Sequence, residues 1–177
     1  MVYIFLAEGF EDIEALQTRD LLLRAGIKVK TVGVGSKTVK SAFGLTVAAD
    51  IAEGEFDPAR AKAVVFPGGM PGAANLAASA AVKNAIAFAL EHNLVIGAIC
   101  AAPGVVLSGT GALFEKRYTC YPGFEAAEGI YTAKKTERDG KLVTANGPAA
   151  SADFAALLAG AVESKAAEDF IRNMYAK

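Results

Sequence analysis

A lone thiol, a loop of glycines and a cluster of carboxylates are the groups in this sequence whose types and spacing suit covalent chemistry. Cys100 lies in LVIGAICAAPG, residues 94–104. Leu94, Val95 and Ile96 form a short apolar run with β-branched residues, long enough for a buried strand and too short for a helix. Gly97 and Ala98 then remove side-chain bulk, and Ala101 and Ala102 follow the thiol. Pro103 suits the first turn of a new helix, where its missing N–H costs nothing. Small residues on both sides let the chain turn sharply from strand to helix and push one side chain out at the corner, as in a nucleophile elbow with cysteine in place of serine. Helix N–H groups near the sulfur would favour thiolate over thiol. The same residues also fit a buried cysteine acting as a small hydrophobe, as most free cysteines do.

Two further features fall where neighbouring strands should end. Pro67-Gly68-Gly69-Met70-Pro71-Gly72 follows a short apolar run and lets backbone N–H groups converge, although it also reads as a plain strand–helix turn. Glu11, Asp12 and Glu14 follow the first strand. A thiolate at Cys100 can attack an electrophile, and the amides of Gly69 and Ala101 can stabilise the oxyanion formed. A carboxylic acid held against an ionised sulfur keeps its proton, because burial and like charge both raise its pKa. Two of the three acids are expected to do no more than offset the dipole of the helix they open.

The elements that would position these groups alternate strand with helix. Val2 to Leu6 is uninterruptedly apolar, as in a strand covered on both faces. A helix from about Glu11 to Ala25 follows, then a strand over Ile27–Val34 and, over Thr38–Ile51, either a hairpin or an irregular edge segment. Ala63–Phe66 is a short buried strand, and helix is expected from Ala73 to Asn93 in two pieces divided near Ser79. Tyr118–Pro122 reads as a short strand stopped by proline, and Ile130–Lys135 with Lys141–Ala145 as a hairpin through Asp139-Gly140. Pro148 opens a helix to about Glu163, and Ser164 caps a last one ending near Tyr175. The pattern is α/β with a mostly parallel central sheet, in which ligands sit beyond the carboxyl ends of the strands.

Composition narrows the function classes. One domain over residues 1–177 is the simplest reading of the length. With 53% hydrophobic and 21% charged residues the chain is neither disordered nor a charged tail. A net charge of −1 and the lack of any basic cluster give no sign of a nucleic-acid or membrane partner. No apolar run reaches the roughly 20 residues of a membrane span, and MVYIFLAEGF reads as a core strand rather than a leader. Two cysteines make no disulfide framework, so a reducing, cytoplasmic setting is expected. The single histidine, His92, falls at a helix end away from the elbow, which argues against a Cys–His pair and, with two separated cysteines, against a metal site. Gly35-Ser36-Lys37-Thr38 lacks the phosphate-loop spacing, and no GxGxxG follows a strand, so no nucleotide cofactor is expected.

AEGFEDIEA (7–15), VVFPGGMPGAANLAAS (64–79), GAICAAPGVVL (97–107) and TANGPAASADFA (144–155) resemble the ThiJ/PfpI superfamily, specifically its Parkinson-disease-protein branch. The match runs nearly end to end and in order. The resemblance implies a flavodoxin-like three-layer sandwich, usually a homodimer, with an elbow cysteine, Cys100, hydrogen-bonded to a protonated glutamate, Glu14. It further places the oxyanion amides at Gly69 and Ala101, and Gly68, Tyr121, Gly147 and Pro148 around the pocket. The implied activity is a cofactor-free glyoxalase or deglycase acting on small reactive carbonyls. The alternative is a redox-sensing, stress-protective protein, with or without chaperone activity, whose cysteine oxidises to sulfinate. Many members carry a histidine where this chain has Tyr121, and the peptidase relatives need that Cys–His pair, so peptidase chemistry is not expected. Cys120 could serve as a resolving thiol or simply pack.

Overall fold

The computed structural model describes residues 1–175. In chain order its elements are β1 (Val2–Leu6), α1 (Asp12–Arg24), β2 (Val29–Gly33), β3 (Thr38–Lys40), β4 (Thr46–Ala48), β5 (Ile51–Ala52), β6 (Ala63–Phe66), α2 (Gly72–Ala78) and α3 (Ala80–Glu91). They continue with β7 (Val95–Ile99), α4 (Ala102–Val106), β8 (Arg117–Tyr118), β9 (Ile130–Tyr131), β10 (Thr136–Asp139), β11 (Leu142–Ala145), α5 (Ser151–Val162) and α6 (Lys165–Tyr175). Seven strands form one sheet in the order β10-β11-β7-β6-β1-β2-β5, parallel except for β10 at its edge.

Both faces of this sheet are covered, which is why its strands read as continuous apolar runs rather than alternating ones. Along β1, Val2, Ile4 and Leu6 enter the layer under α1, α5 and α6, while Tyr3 and Phe5 enter the layer under α2, α3 and α4. All five are buried, and each contributes about 1.5–3 kcal/mol by leaving water. The result is the three-layer, flavodoxin-like sandwich.

Helix ends follow their capping chemistry. Glu11 caps α1 by accepting from the Glu14 N–H at 2.7 Å. The long helix breaks at Ser79, whose hydroxyl accepts from Val82 N–H at 3.3 Å and starts α3. Ser164 accepts from Ala167 N–H at 3.3 Å ahead of α6. Pro148 opens a 3₁₀ turn, and α5 proper starts only at Ser151.

One pairing differs from the sequence reading. The second hairpin does turn at Gly140, but its first arm is β10, not 130–135. A two-residue turn over Gly140-Lys141 sets Asp139 opposite Leu142, so register assigns the arm to the four residues just before it. Ile130 and Tyr131 instead pair in parallel with Arg117 and Tyr118, and the strand expected over 118–122 ends at Tyr118.

The segment after β8 is drawn against α4 at Gly104, where a Cβ would lie only 1.5 Å from the Phe124 carbonyl oxygen. Gly104→Ala must push the backbone of the Tyr121–Phe124 turn away from the helix. We expect it to lower stability by about 1–3 kcal/mol, measured as the shift in urea unfolding midpoint.

Candidate active site

Three adjacent strands, β1, β6 and β7, end at the same edge of the sheet, and their C-terminal turns build the site. From β1 the chain moves outward to β2 and then returns to β6 on the other side, so the crevice over β1 and β6 is the point where the strand order reverses.

Cys100 terminates β7 with φ +62, a left-handed conformation. For a residue with a Cβ this costs about 1–2 kcal/mol, and neighbouring strands hold it in place. Its N–H donates to Ala145 O on β11 at 2.9 Å, and its carbonyl accepts from Tyr121 N–H at 2.8 Å. The elbow expected from the small residues is therefore present, and its side chain is partly exposed.

Glu14 reaches the same spot from the first turn of α1 and is almost fully buried. Its Oε2 accepts from Gly68 N–H at 2.8 Å. Gly68 lies between the two reactive groups: a Cβ there would come within 2.7 Å of Cys100 Cβ, 2.9 Å of Glu14 Oε2 and 3.0 Å of Ala101 N. Only glycine allows this approach. Gly69, at φ +83, turns the loop beneath α1, where Glu11 N–H donates to Gly68 O at 3.0 Å.

Burial pushes the Glu14 carboxyl up to about 7, against the Cys100 and Gly68 hydrogen bonds that favour its charge. Burial, then the Glu14 charge, push the Cys100 thiol up to about 12, and the Gly69 and Ala101 amides only partly offset them. This corrects the expectation of a thiolate favoured by helix N–H groups beside a protonated acid: α4 is only five residues long, and burial and the Glu14 charge outweigh the amides, so the thiol is the favoured form. The two groups titrate as a pair, in which a charge on one holds the proton on the other.

Of the remaining expected residues, Tyr121 is about half exposed, and its ring lies over Gly147, where a Cβ would stand 3.2 Å from Cδ2. Pro148 follows directly at the start of the 3₁₀ turn. Cys120 is fully buried among the residues of the opposite layer from the one that Cys100 packs against. His92 is stacked on Phe88 at 3.8 Å at the end of α3, away from Cys100. Glu11 is the N-cap of α1, a more specific structural role than the dipole compensation expected for two of the three acids. Sequence reading missed Ala145, because a carbonyl acceptor leaves no mark on residue type.

The DJ-1/PfpI family model matches residues 1–161. The chain belongs to the DJ-1/PfpI family. It is 32% identical over 167 residues to protein dj-1beta of Drosophila melanogaster, covering 92% of this chain and 89% of that one. It is 28% identical over 161 residues to the glutathione-independent glyoxalase DJR-1.2 of Caenorhabditis elegans, covering 84% and 80%. Among solved structures, the DJ-1 superfamily protein STM1931 of Salmonella typhimurium, crystallised as a cysteine-to-alanine variant, superposes with a TM-score of 0.91 at 34% identity, covering 98% and 97%. In this DJ-1/PfpI chain the arrangement offers a nucleophile, two amides for an oxyanion and one buried acid able to exchange a proton near neutral pH.

Alkylation tests the pairing, because iodoacetamide reports the thiolate fraction and its rate rises with pH. The Cys100 profile should show two ionisations, the lower near pH 7, and Glu14→Gln should leave a single one. Superimposable profiles would show that the carboxyl does not act on the sulfur.

Proposed function

We propose that this protein is a cysteine-dependent, cofactor-free glyoxalase or deglycase acting on 2-oxoaldehydes, such as methylglyoxal and glyoxal, or on their early adducts. The observation that carries this reading is the placement of the Glu14 carboxyl and the Cys100 thiol on either side of Gly68, with Glu14 poised near 7. A relative whose name is glutathione-independent glyoxalase supports it.

In this reaction the Cys100 sulfur bonds to the aldehyde carbon while the thiol proton passes to the carbonyl oxygen, giving a hemithioacetal. The Gly69 and Ala101 amides hold the oxygen as charge develops on it. Glu14, as carboxylate, removes the hydrogen of the same carbon as a proton, and the electron pair moves toward the neighbouring carbonyl to form an enediolate. The hemithioacetal hydroxyl proton passes to the neighbouring oxygen, and Glu14 returns its proton to the neighbouring carbon, leaving a thioester of a 2-hydroxyacid. Water breaks the C–S bond, releasing the hydroxyacid and restoring the thiol. The sum is isomerisation plus hydration, so no external oxidant or reductant enters.

Cys100→Ala should abolish lactate formation from methylglyoxal, measured enzymatically on quenched aliquots. Retained lactate formation would remove the proposal.

A second reading, reversible protection or sensing through oxidation, is favoured by the partial exposure of Cys100 beside those same two amides. They and a protonated Glu14 would hold the oxygens of a sulfinate. Because Cys120 is fully buried, oxygen addition rather than a disulfide is the expected product. Intact-mass measurement after mild peroxide should show a gain of two oxygens mapped to Cys100. An unchanged mass, or a loss of two hydrogens, counts against this reading.

A further inference from the structure

A separate cavity lies at the opposite edge of the sheet from Cys100, where α3 ends and β7 and β11 begin. It is a half-open cleft of about 430 Å³, within the range of roughly 300–1,000 Å³ typical of small-molecule sites and toward its lower end. Its floor is aliphatic, with Leu94, Ala112 and Leu142, and its rim carries Lys116, Arg138 and Lys141. Among the described residues no acidic side chain lines it.

These cations are not accounted for by pairing within the chain. Lys116 Nζ stands 3.5 Å from Asp139 Oδ1, but Asp139 also accepts from Arg117 N–H at 3.0 Å. Arg138 and Lys141 form no ion pair among the described residues, and Arg138 Nε only donates to Gly140 O at 3.3 Å. Closing α3 does not require them either. The carbonyls of Phe88, Ala89 and Leu90 accept from the N–H groups of His92, Leu94 and Asn93. The end of a helix carries about half a negative charge, so with Asp139 included more than one unit of positive charge remains above an apolar floor.

We infer that this cavity binds a short-chain amphipathic carboxylate, its chain on the Leu94–Ala112–Leu142 floor and its head group on Arg138 and Lys141. The guanidinium fork can meet both carboxylate oxygens at once, and an ammonium adds charge without further geometric demand. A free inorganic anion would leave the floor exposed to water, and an alcohol or amine would leave the cations unmatched. A chain such as that of octanoate fits within this volume with room to spare.

Titration calorimetry on the full chain tests this, with octanoate as probe and octylamine, octanol and acetate as controls. Octanoate should bind at one site, more tightly than each control, and more weakly as salt rises. Octyl phosphate separates the head groups: binding tighter than octanoate overturns the assignment to carboxylate. The exposed pair Arg138→Ser with Lys141→Ser should lower octanoate affinity at least about tenfold, the loss of one charged hydrogen bond. Ala112→Phe, which fills the floor, should remove binding, and Cys100→Ala should leave it unchanged. No saturable octanoate binding, equal binding of octylamine, or wild-type affinity in the Arg138/Lys141 double variant would overturn the inference.

Discussion

Two ionisable groups share one water-poor pocket and cannot both carry charge at neutral pH. The rest of the site follows from that constraint. Glu14 is buried enough for desolvation to outweigh its hydrogen bonds, and Cys100 cannot lose a proton beside it without meeting its charge. At neutral pH the thiol therefore keeps its proton while the carboxyl gains and loses one, and what enters the site can shift that balance. The amides of Gly69 and Ala101 favour charge on the sulfur side. An electrophile that accepts the sulfur's electrons would relieve the repulsion that keeps the thiol protonated.

The backbone is arranged to keep these groups close. Gly68 is the necessary spacer, since any side chain there would occupy the gap across which the thiol and carboxyl meet. Cys100 is held in a left-handed turn by hydrogen bonds from two different segments, at Ala145 and Tyr121. Each such bond is worth about 1 kcal/mol net, enough together to offset the cost of the turn. The elbow is therefore over-determined: the parallel pairing of β7 with β11 fixes one side, and the loop after β8 fixes the other. Strain of this kind persists only where the surroundings allow no alternative.

Much of this was legible from residue types. Continuous apolar runs announced strands covered on both faces, Ser164 announced a helix start because its hydroxyl satisfies orphan N–H groups, and Ser79 marked where the long helix divides. The bracketing of Cys100 by Gly97, Ala98, Ala101 and Ala102 announced the elbow. Where sequence reading fell short, the missing information was non-local. Ile130–Lys135 looks like a hairpin arm until the turn at Gly140 sets the register. The sulfur looked ready to ionise because helix amides are local, whereas burial and the Glu14 charge arrive from other strands. That Glu14 rather than Glu11 faces the thiol needed the family resemblance, because three acids within one helical turn are equivalent by composition.

The lack of a nearby histidine sharpens what the proposed chemistry demands. The aromatic side chain at the elbow turn is Tyr121, half exposed over Gly147, and it brings no imidazole to the site. His92 is committed to a helix end, stacked on Phe88. Proton removal from a hemithioacetal and return to its neighbouring carbon must then fall to one group, and an ordinary glutamate would be too weak a base. Burial is what corrects this: a carboxyl at about 7 is half ionised near neutral pH, so the same side chain is available as base and as acid. The cost is that only part of the population is in the form each step requires, and no second base assists. Under the proposed chemistry, acid–base work resting on one desolvated carboxyl would make a slow but self-sufficient catalyst.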